Sequence, residues 1–167
     1  MSGAGKSFYA KYLFNKYSSI NKKVKLLDGD IIRDKYDVPL GFSKKEICKN
    51  NMFISNICDE EYKKYDITIV SVISPYESIR KTIKDMFKKN IYFIYVYADI
   101  ESLKARDTKK LYARADNNEI KDLIGYSEIS KYEIPENPDL ILDTSKDNNP
   151  EENYNLLDEF LNYITNN

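Results

Sequence analysis

The 167-residue chain carries 26 basic and 27 acidic side chains, for a formal net charge of −1, and it contains no histidine. Its length suits one domain with a sizeable core, and its balanced charge excludes nucleic-acid or membrane binding by bulk electrostatics. No apolar run approaches membrane-spanning length and no signal peptide opens the chain, so we expect a cytoplasmic protein. The two cysteines, Cys48 and Cys58, are expected to be buried, reduced thiols rather than zinc ligands.

The chain opens with Met-Ser-Gly-Ala-Gly-Lys-Ser, a partial phosphate-binding loop. Gly5, Lys6 and Ser7 fill the last three places of the pattern G-x-x-x-x-G-K-[ST]. Glycines at positions 3 and 5 let backbone N–H groups turn towards phosphate oxygens, where a Cβ would clash. Lys6 is expected to neutralise the β- and γ-phosphate oxygens, and Ser7 to coordinate Mg²⁺. The loop therefore predicts an ATP site.

Apolar, β-branched runs alternate with helical segments, which is typical of a parallel sheet with helices on both faces. The predicted strands are 24–28, 67–72, 91–98 and 140–143. The predicted helices are about 6–17, 44–64, 76–89, 100–106 and 151–164. Ser43 and Glu46 are placed to form a capping box before the second helix. With the phosphate loop, the pattern predicts a three-layer α/β kinase fold of the P-loop type.

The loop normally follows a central strand, which would run into Gly5 from upstream. A sheet without its central strand leaves buried backbone groups unpaired. We therefore expect either that the native protein starts further upstream, with the first strand missing from this chain, or that this chain folds poorly.

The stretch 107–138 is polar, carries Gly125 and shows no clean period. A loop of that length inside a compact domain is usually functional. We expect it to be the lid of a single kinase domain that spans 1–167.

A second polar cluster, Leu27-Asp28-Gly29-Asp30, directly follows the first predicted strand, and Arg33 comes three residues later. Ligands of open α/β sheets bind outside the carboxyl ends of the strands. Two carboxylates there can place Mg²⁺ and accept a proton from an attacking hydroxyl. An ordinary Asp-Gly turn with a solvated arginine is the alternative, and the nearby phosphate loop favours the functional interpretation.

Together with later segments, these residues resemble adenylylsulfate kinase, which phosphorylates the 3′-hydroxyl of adenylyl sulfate (APS) with ATP. The matching stretches are SGAGKS at 2–7, LLDGD at 26–30, GFS at 41–43, SVISPY at 71–76, RD at 106–107, LY at 111–112, PENPD at 135–139 and LDTS at 142–145. The resemblance runs over nearly the whole chain in order. It implies a nucleotide kinase that uses ATP and Mg²⁺ and often forms a homodimer.

On the ATP side, the resemblance implies that Gly3 to Ser7, Ala4 included, hold the phosphates. Ser7 and Asp28 would hold Mg²⁺, and Arg106 and the lid would cover the ATP. Lys6 would be catalytic through the charge that it supplies to the transferring group.

On the acceptor side, the resemblance implies that Asp30 orients or deprotonates the 3′-hydroxyl. The implied acceptor-binding residues are Asp28, Arg33, Phe42, Asn50, Ile73 and Ser74. Phe42 would stack on the base. Ser74 also matches a serine that the family treats as a phosphoserine intermediate. Because direct in-line transfer needs no covalent step, we interpret Ser74 as a pocket residue first.

One departure leaves the acceptor open, because the family places an arginine between GFS and Asn50 where this chain has Ile47. Loss of a guanidinium that contacts an anionic acceptor is not conservative. Some bacterial relatives phosphorylate cytidine diphosphoramidate during capsule decoration, so that compound is the alternative to adenylyl sulfate. A non-catalytic nucleotide-binding relative is a further alternative, and the intact Lys6, Asp28 and Asp30 argue against it.

Overall fold

The structure is a computed structural model that describes residues 1–37, 40–146 and 149–166. The chain falls into two compact units. One unit is Lys6–Lys89, and the other combines Met1–Gly5 with Asn90–Asn167. We call them the 6–89 unit and the 90–167 unit.

The 6–89 unit is built on two parallel strands. Its elements are α1 (Lys6–Ser19), β1 (Val24–Asp28), α2 (Gly29–Arg33), α3 (Lys44–Glu61), a 3₁₀ turn (Tyr62–Lys64), β2 (Ile67–Ser71) and α4 (Glu77–Phe87). The β1–β2 register sets Val24 opposite Ile67 and Asp28 opposite Ser71. Helix α1 packs on both strands, and α3 packs against α2 and α4. Leu27, Ile32, Ile54 and Cys58 form a buried cluster between these elements.

The 90–167 unit also contains a parallel strand pair. Its elements are β3 (Ile94–Tyr97), α5 (Ile100–Arg106), α6 (Leu111–Asp116), β4 (Leu140–Asp143) and α7 (Pro150–Asn166), and a second 3₁₀ turn (Lys88–Asn90) precedes them. Helix α7 packs on β4. Leu103, Leu142 and Leu157 have no exposed surface, which places the core of this unit at β4 and the helices beside it.

The predicted capping box at the start of α3 is confirmed. The Ser43 hydroxyl accepts a hydrogen bond from the Glu46 backbone N–H at 3.3 Å, and the Glu46 carboxylate accepts from the Ser43 N–H at 3.2 Å. The carboxylate also accepts from the Gly41 N–H at 2.8 Å. The hydrogen bonds from the Ser43 hydroxyl and the Gly41 N–H lower the pKa of Glu46, because they stabilise its charged form.

Two short helices were not predicted. Helix α2 begins directly after β1, where the Asp28 carboxylate accepts from the Asp30 N–H. Helix α6 interrupts the stretch that we expected to be a loop, because the Asp107 carboxylate accepts from the N–H groups of Tyr112 (3.1 Å) and Ala113 (2.9 Å). Helices of five and six residues are too short to show a period in sequence.

Both cysteines are free thiols, as predicted, but only Cys58 is buried. Burial raises the pKa of the Cys58 thiol to about 11. Cys48 is half-buried, so the expectation of two buried thiols was wrong for this residue, which lies on another part of the α3 surface. Within the described ranges, no helix combines the length and the apolar character that crossing a membrane requires.

We predict that Ser43→Ala lowers the free energy of unfolding by about 1 kcal/mol, because the N-terminal N–H groups of α3 lose their side-chain acceptor. Chemical denaturation followed by circular dichroism measures the change. Lys45→Ala, an exposed substitution two residues along, is the control and should leave stability within about 0.5 kcal/mol. Equal stability of Ser43→Ala and the wild type would contradict the prediction.

Candidate active site

The glycine-rich loop at the start of the chain has its backbone carbonyls fixed by side chains of the 90–167 unit. Gly3 and Gly5 have φ angles of 77° and 90°, which non-glycine residues rarely adopt. The Ser2 carbonyl accepts a hydrogen bond from the Tyr112 hydroxyl at 2.8 Å. The Ala4 carbonyl lies 3.0 Å from the Thr144 hydroxyl. The loop conformation is thus held from α6 and from the end of β4.

Arg106, which the resemblance implied for the ATP side, contacts this same loop. Its guanidinium donates to the carbonyl and hydroxyl oxygens of Thr144, and it lies 3.4 Å from the Gly3 carbonyl. Thr144 belongs to the LDTS stretch at 142–145, but sequence analysis gave it no role. Its position directly after a strand is the signal that could have identified it.

The carboxyl ends of β1 and β2 bring together three oxygen-bearing side chains. The Ser7 hydroxyl, in the first turn of α1, donates to Asp28 Oδ2 at 2.8 Å. It also lies 3.0 Å from the Ser71 hydroxyl. Asp28 Oδ1 accepts from the Asp30 N–H at 2.9 Å. The structure therefore brings together Ser7 and Asp28, the two predicted Mg²⁺ ligands, and adds Ser71, which the parallel register sets beside Asp28.

The Ser7–Asp28 pair suits a magnesium ion. Mg²⁺ takes hard oxygen ligands, usually one or two from the protein with water and phosphate oxygens completing the shell. A hydroxyl and a carboxylate that already lie 2.8 Å apart provide such a partial set. In the parts of the chain that the structure describes, no group of three or more His, Cys, Asp or Glu residues could form a complete protein cage.

Asp30 is exposed in the first turn of α2, two residues beyond Asp28. Gly29 between them packs against the residue that follows β2, since a Cβ at position 29 would lie 2.8 Å from Val72 Cγ2. The Asp-Gly-Asp sequence therefore lets the chain turn from β1 into α2 without a clash. It leaves the Asp28 carboxylate on Ser7 and places Asp30 at an exposed position.

Arg33 and Phe42, which were both predicted to bind the acceptor, lie together. The Arg33 guanidinium carbon lies 4.4 Å from the centre of the Phe42 ring. Nη2 of Arg33 donates to the carbonyls of Leu40 (2.6 Å) and Gly41. Phe42 is 49% exposed, so about half of its surface is accessible to a flat ligand.

Ile73 and Ser74 form a segment whose two carbonyls are held by buried side chains. The Asn51 amide donates to the Ile73 carbonyl at 3.2 Å. The Arg80 guanidinium donates to the Ser74 carbonyl at 2.6 Å and forms a salt bridge with Glu77 at 2.6 Å. Sequence analysis assigned no role to Asn51 or Arg80. Arg80 lies on the apolar side of an amphipathic helix, next to Ile79 and three residues before Ile83. An arginine at such a position is the signal that could have identified it in the sequence.

Buried polar atoms without a hydrogen-bond partner among the described residues occur in this segment and in the middle of α3. Asn50 is 5% exposed, and its Oδ1 has no hydrogen-bond partner in the described residues. The same holds for the Ser74 hydroxyl and for Oδ1 of Asn51. Ile47, at the position where an arginine was expected, is 3% exposed and belongs to the core. Most buried side-chain polar atoms in native proteins have a hydrogen-bond partner, so these three atoms are exceptions.

Parallel strands covered by helices, with a phosphate-loop sequence that leads into α1, define the class as a P-loop kinase, a phosphotransferase with an alcohol group as acceptor. The model of the family described as adenylylsulphate kinase matches residues 1–143. The chain belongs to this family.

Individual relatives agree with the family match. A probable adenylyl-sulfate kinase of Archaeoglobus fulgidus is 40% identical over 87% of this chain and 92% of its own length. A probable adenylyl-sulfate kinase of Pyrococcus abyssi is 39% identical over 87% of this chain and 82% of its own. The Mycobacterium tuberculosis APS kinase, solved with AMPPNP and APS, has a TM-score of 0.83 at 27% identity and covers 97% of this chain and 93% of that one. The predicted family, fold and enzyme class are confirmed.

We predict that Arg80→Met lowers the free energy of unfolding by about 3 kcal/mol, because it leaves the Glu77 carboxylate and the Ser74 carbonyl without their buried partner. Urea denaturation measures the loss. Lys81→Met, an exposed position on the same helix, is the matched control. Comparable losses in the two variants would show that the guanidinium does not hold the segment.

Proposed function

We propose that the protein transfers the γ-phosphoryl group of ATP to the 3′-hydroxyl of a nucleotide, with adenylyl sulfate as the first candidate acceptor. The observation that carries the proposal is the hydrogen bond between Ser7 and Asp28, which joins the end of the phosphate loop to a strand-end carboxylate. The solved M. tuberculosis relative holds AMPPNP and APS, and this supports both substrate classes.

On the donor side, Gly3, Ala4 and Gly5 provide backbone groups for the phosphates, and Lys6 provides a positive charge. Ser7 and Asp28 would hold Mg²⁺, which when bound neutralises the negative charge that develops on the phosphate oxygens. Arg106 acts through the loop, because its guanidinium contacts the Gly3 carbonyl and Thr144. Phosphoryl transfer needs mainly positioning and charge stabilisation, and these residues supply both.

On the acceptor side, Asp30 accepts the proton of the attacking 3′-hydroxyl. Its carboxylate is exposed, while its backbone N–H is fixed by Asp28. Phe42 offers an exposed ring face to the base, and Arg33 beside it offers positive charge. Asn50, Ile73 and Ser74 complete the pocket. We assign Ser74 a binding role, because direct in-line transfer leaves no step for a phosphoserine.

A second candidate acceptor is cytidine diphosphoramidate, which would place the protein in capsule biosynthesis rather than sulfate assimilation. The specific observation is Ile47, which is buried at 3% exposure and brings no charge to the pocket. The two acceptors carry equal charge at this end, but the amino group of the phosphoramidate replaces one of the oxygens that a guanidinium would contact, so a pocket with one guanidinium fewer suits it.

The proposal also covers the compartment, the oligomeric state and the lid of the enzyme. Free thiols at Cys48 and Cys58 fit a reducing compartment, so we infer a cytoplasmic location. We infer a homodimer from the family resemblance, and we assign a lid role to 107–138, which now includes α6.

The first test is a side-by-side assay of ADP release with MgATP and either adenylyl sulfate or cytidine diphosphoramidate. Turnover with adenylyl sulfate at the higher kcat/KM supports the first candidate, and the reverse order supports the second. ATP binding without turnover with either compound would support a non-catalytic nucleotide-binding protein instead.

We predict that Lys6→Ala reduces kcat by at least about a hundredfold, because the charge that stabilises the transferring phosphoryl group is lost. Circular dichroism and Tm should remain close to wild type. Lys11→Ala, an exposed lysine on the same helix, controls for helix effects. Retained activity in Lys6→Ala would refute the phosphate-loop assignment.

We predict that Asp30→Asn reduces kcat by about a hundredfold or more and leaves the acceptor KM within about threefold, because the base is lost while the pocket is kept. Steady-state kinetics with varied acceptor measures both constants. Asp34→Asn is the control, since Asp34 is exposed at the other end of α2. An unchanged kcat would remove Asp30 from the role of base.

A further inference from the structure

Ser71, the last residue of β2, places a hydroxyl group at a buried position of the strand. Ile69 and Ser71 are both buried, whereas Val70 between them is exposed. This alternation favours an apolar side chain at position 71. A buried hydroxyl destabilises a fold unless it is hydrogen-bonded, so the partner of Ser71 is informative about its role.

That partner is the Ser7 hydroxyl, whose oxygen lies 3.0 Å from Ser71 Oγ. Ser7 Oγ also lies 2.8 Å from Asp28 Oδ2. An ionised carboxylate only accepts hydrogen bonds, so Ser7 donates its single hydrogen to Asp28. The contact with Ser71 then forms in one direction, in which the Ser71 hydroxyl donates and Ser7 Oγ accepts. The result is a directed chain of hydrogen bonds from Ser71 through Ser7 to Asp28.

The two hydrogen bonds orient the Ser7 hydroxyl. A hydroxyl oxygen carries one hydrogen and two lone pairs. Because the hydrogen is used on Asp28 and one lone pair on Ser71, one lone pair of Ser7 stays available for a metal ion. Ser7 is exposed and Ser71 is 6% exposed, so an ion can contact Ser7 while Ser71 supports it from the buried side.

Magnesium is sensitive to this kind of support. Mg²⁺ demands near-ideal octahedral geometry from its oxygen ligands. Hydrogen-bond partners that orient such ligands typically change metal affinity by about tenfold to a hundredfold. Without the Ser71 hydroxyl, the Ser7 side chain would lose one of the two bonds that select its rotamer. Its oxygen would then accept from water, and its position would be less well defined.

We propose that Ser71 is a positioning residue for magnesium, since its hydroxyl donates to Ser7 Oγ and thereby raises the affinity for Mg²⁺ when the nucleotide is bound. This inference rests on the proposed function, because it concerns the metal of the same phosphate-donor site. Ser71 acts through Ser7 and does not itself contact the ion.

The test measures how much Mg²⁺ strengthens nucleotide binding. Calorimetry gives the Kd of AMPPNP, a nonhydrolysable ATP analogue, in EDTA and in excess Mg²⁺, and the ratio of the two constants is the magnesium gain. Wild type, Ser71→Ala and Ser71→Thr, which keeps the hydroxyl, are compared. Ser55→Ala is the matched control, because Ser55 is 5% exposed and its hydroxyl donates to the Asn51 carbonyl within α3.

We expect Ser71→Ala to reduce the magnesium gain by about tenfold, while the Kd in EDTA stays within about twofold of wild type. Ser71→Thr should keep the gain within about threefold, and Ser55→Ala should leave it unchanged. A serine with a merely structural role would weaken binding equally in both conditions. If Ser71→Ala does not fold, Ser71→Cys replaces it with the same expected loss, because a thiol fills a similar space and donates only weakly.

A wild-type gain near one overturns the proposal, whether or not the variants fold. An unchanged gain in Ser71→Ala, a loss of the same size in EDTA, or a gain in Ser71→Thr as low as in Ser71→Ala also overturns it. AMPPNP binding requires no acceptor, so the test is separate from the proposed function. A gain that depends on Ser71, without ADP release in the acceptor assay, would support the role of Ser71 and refute the kinase activity. ADP release with an unchanged gain would refute the role of Ser71 alone.

Discussion

The parallel register of β1 and β2 is the constraint on which the candidate site depends. Because Asp28 pairs with Ser71, the carboxyl ends of both strands present an oxygen-bearing side chain at the same level. The Ser7 hydroxyl lies within 3.0 Å of both side chains, which ties the start of α1 to the two strands. A slip of one residue would turn Asp28 to the opposite face and remove this arrangement. The register thus fixes the beginnings of α1 and α2 together.

The glycine-rich loop depends on a different set of contacts within the 90–167 unit. Its carbonyls meet Tyr112 of α6, Arg106 of α5 and Thr144 after β4. Three elements that are distant in sequence therefore hold one short segment of backbone. A binding loop that is held in this way loses little conformational entropy when a ligand binds. The glycines allow the conformation, and the three side chains select it.

Much of this architecture can be predicted from the sequence, because long apolar runs and strong caps are local signals. Strand β1 and helix α5 have the bounds that the pattern predicts, and the capping box of α3 forms as expected. Helices α2 and α6 escaped prediction, because each depends on one aspartate side chain rather than on a repeated pattern.

The candidate site likewise contains some residues that were predicted and others that were not. Ser7 and Asp28 were both predicted to bind Mg²⁺, because a motif and a strand end pointed to oxygen ligands, and the structure places the two side chains 2.8 Å apart. Ser71 and Asn51 were not predicted, since a serine in a strand and an asparagine in a helix are common and gain meaning only from tertiary neighbours. Sequence patterns report periodicity and motif spacing, whereas buried side-chain pairing across elements depends on the folded geometry.

The position of Arg33 has a thermodynamic consequence. Its guanidinium is shared between the Phe42 ring and the carbonyls of Leu40 and Gly41. An anion that binds the guanidinium must first break these contacts, so their loss offsets part of the free energy of anion binding. A molecule that also covers the released ring recovers that energy, because the aromatic face is buried again. In the proposed acceptor pocket the two halves of a nucleotide would thereby be coupled, and free anions and isolated bases would bind less well than the intact molecule.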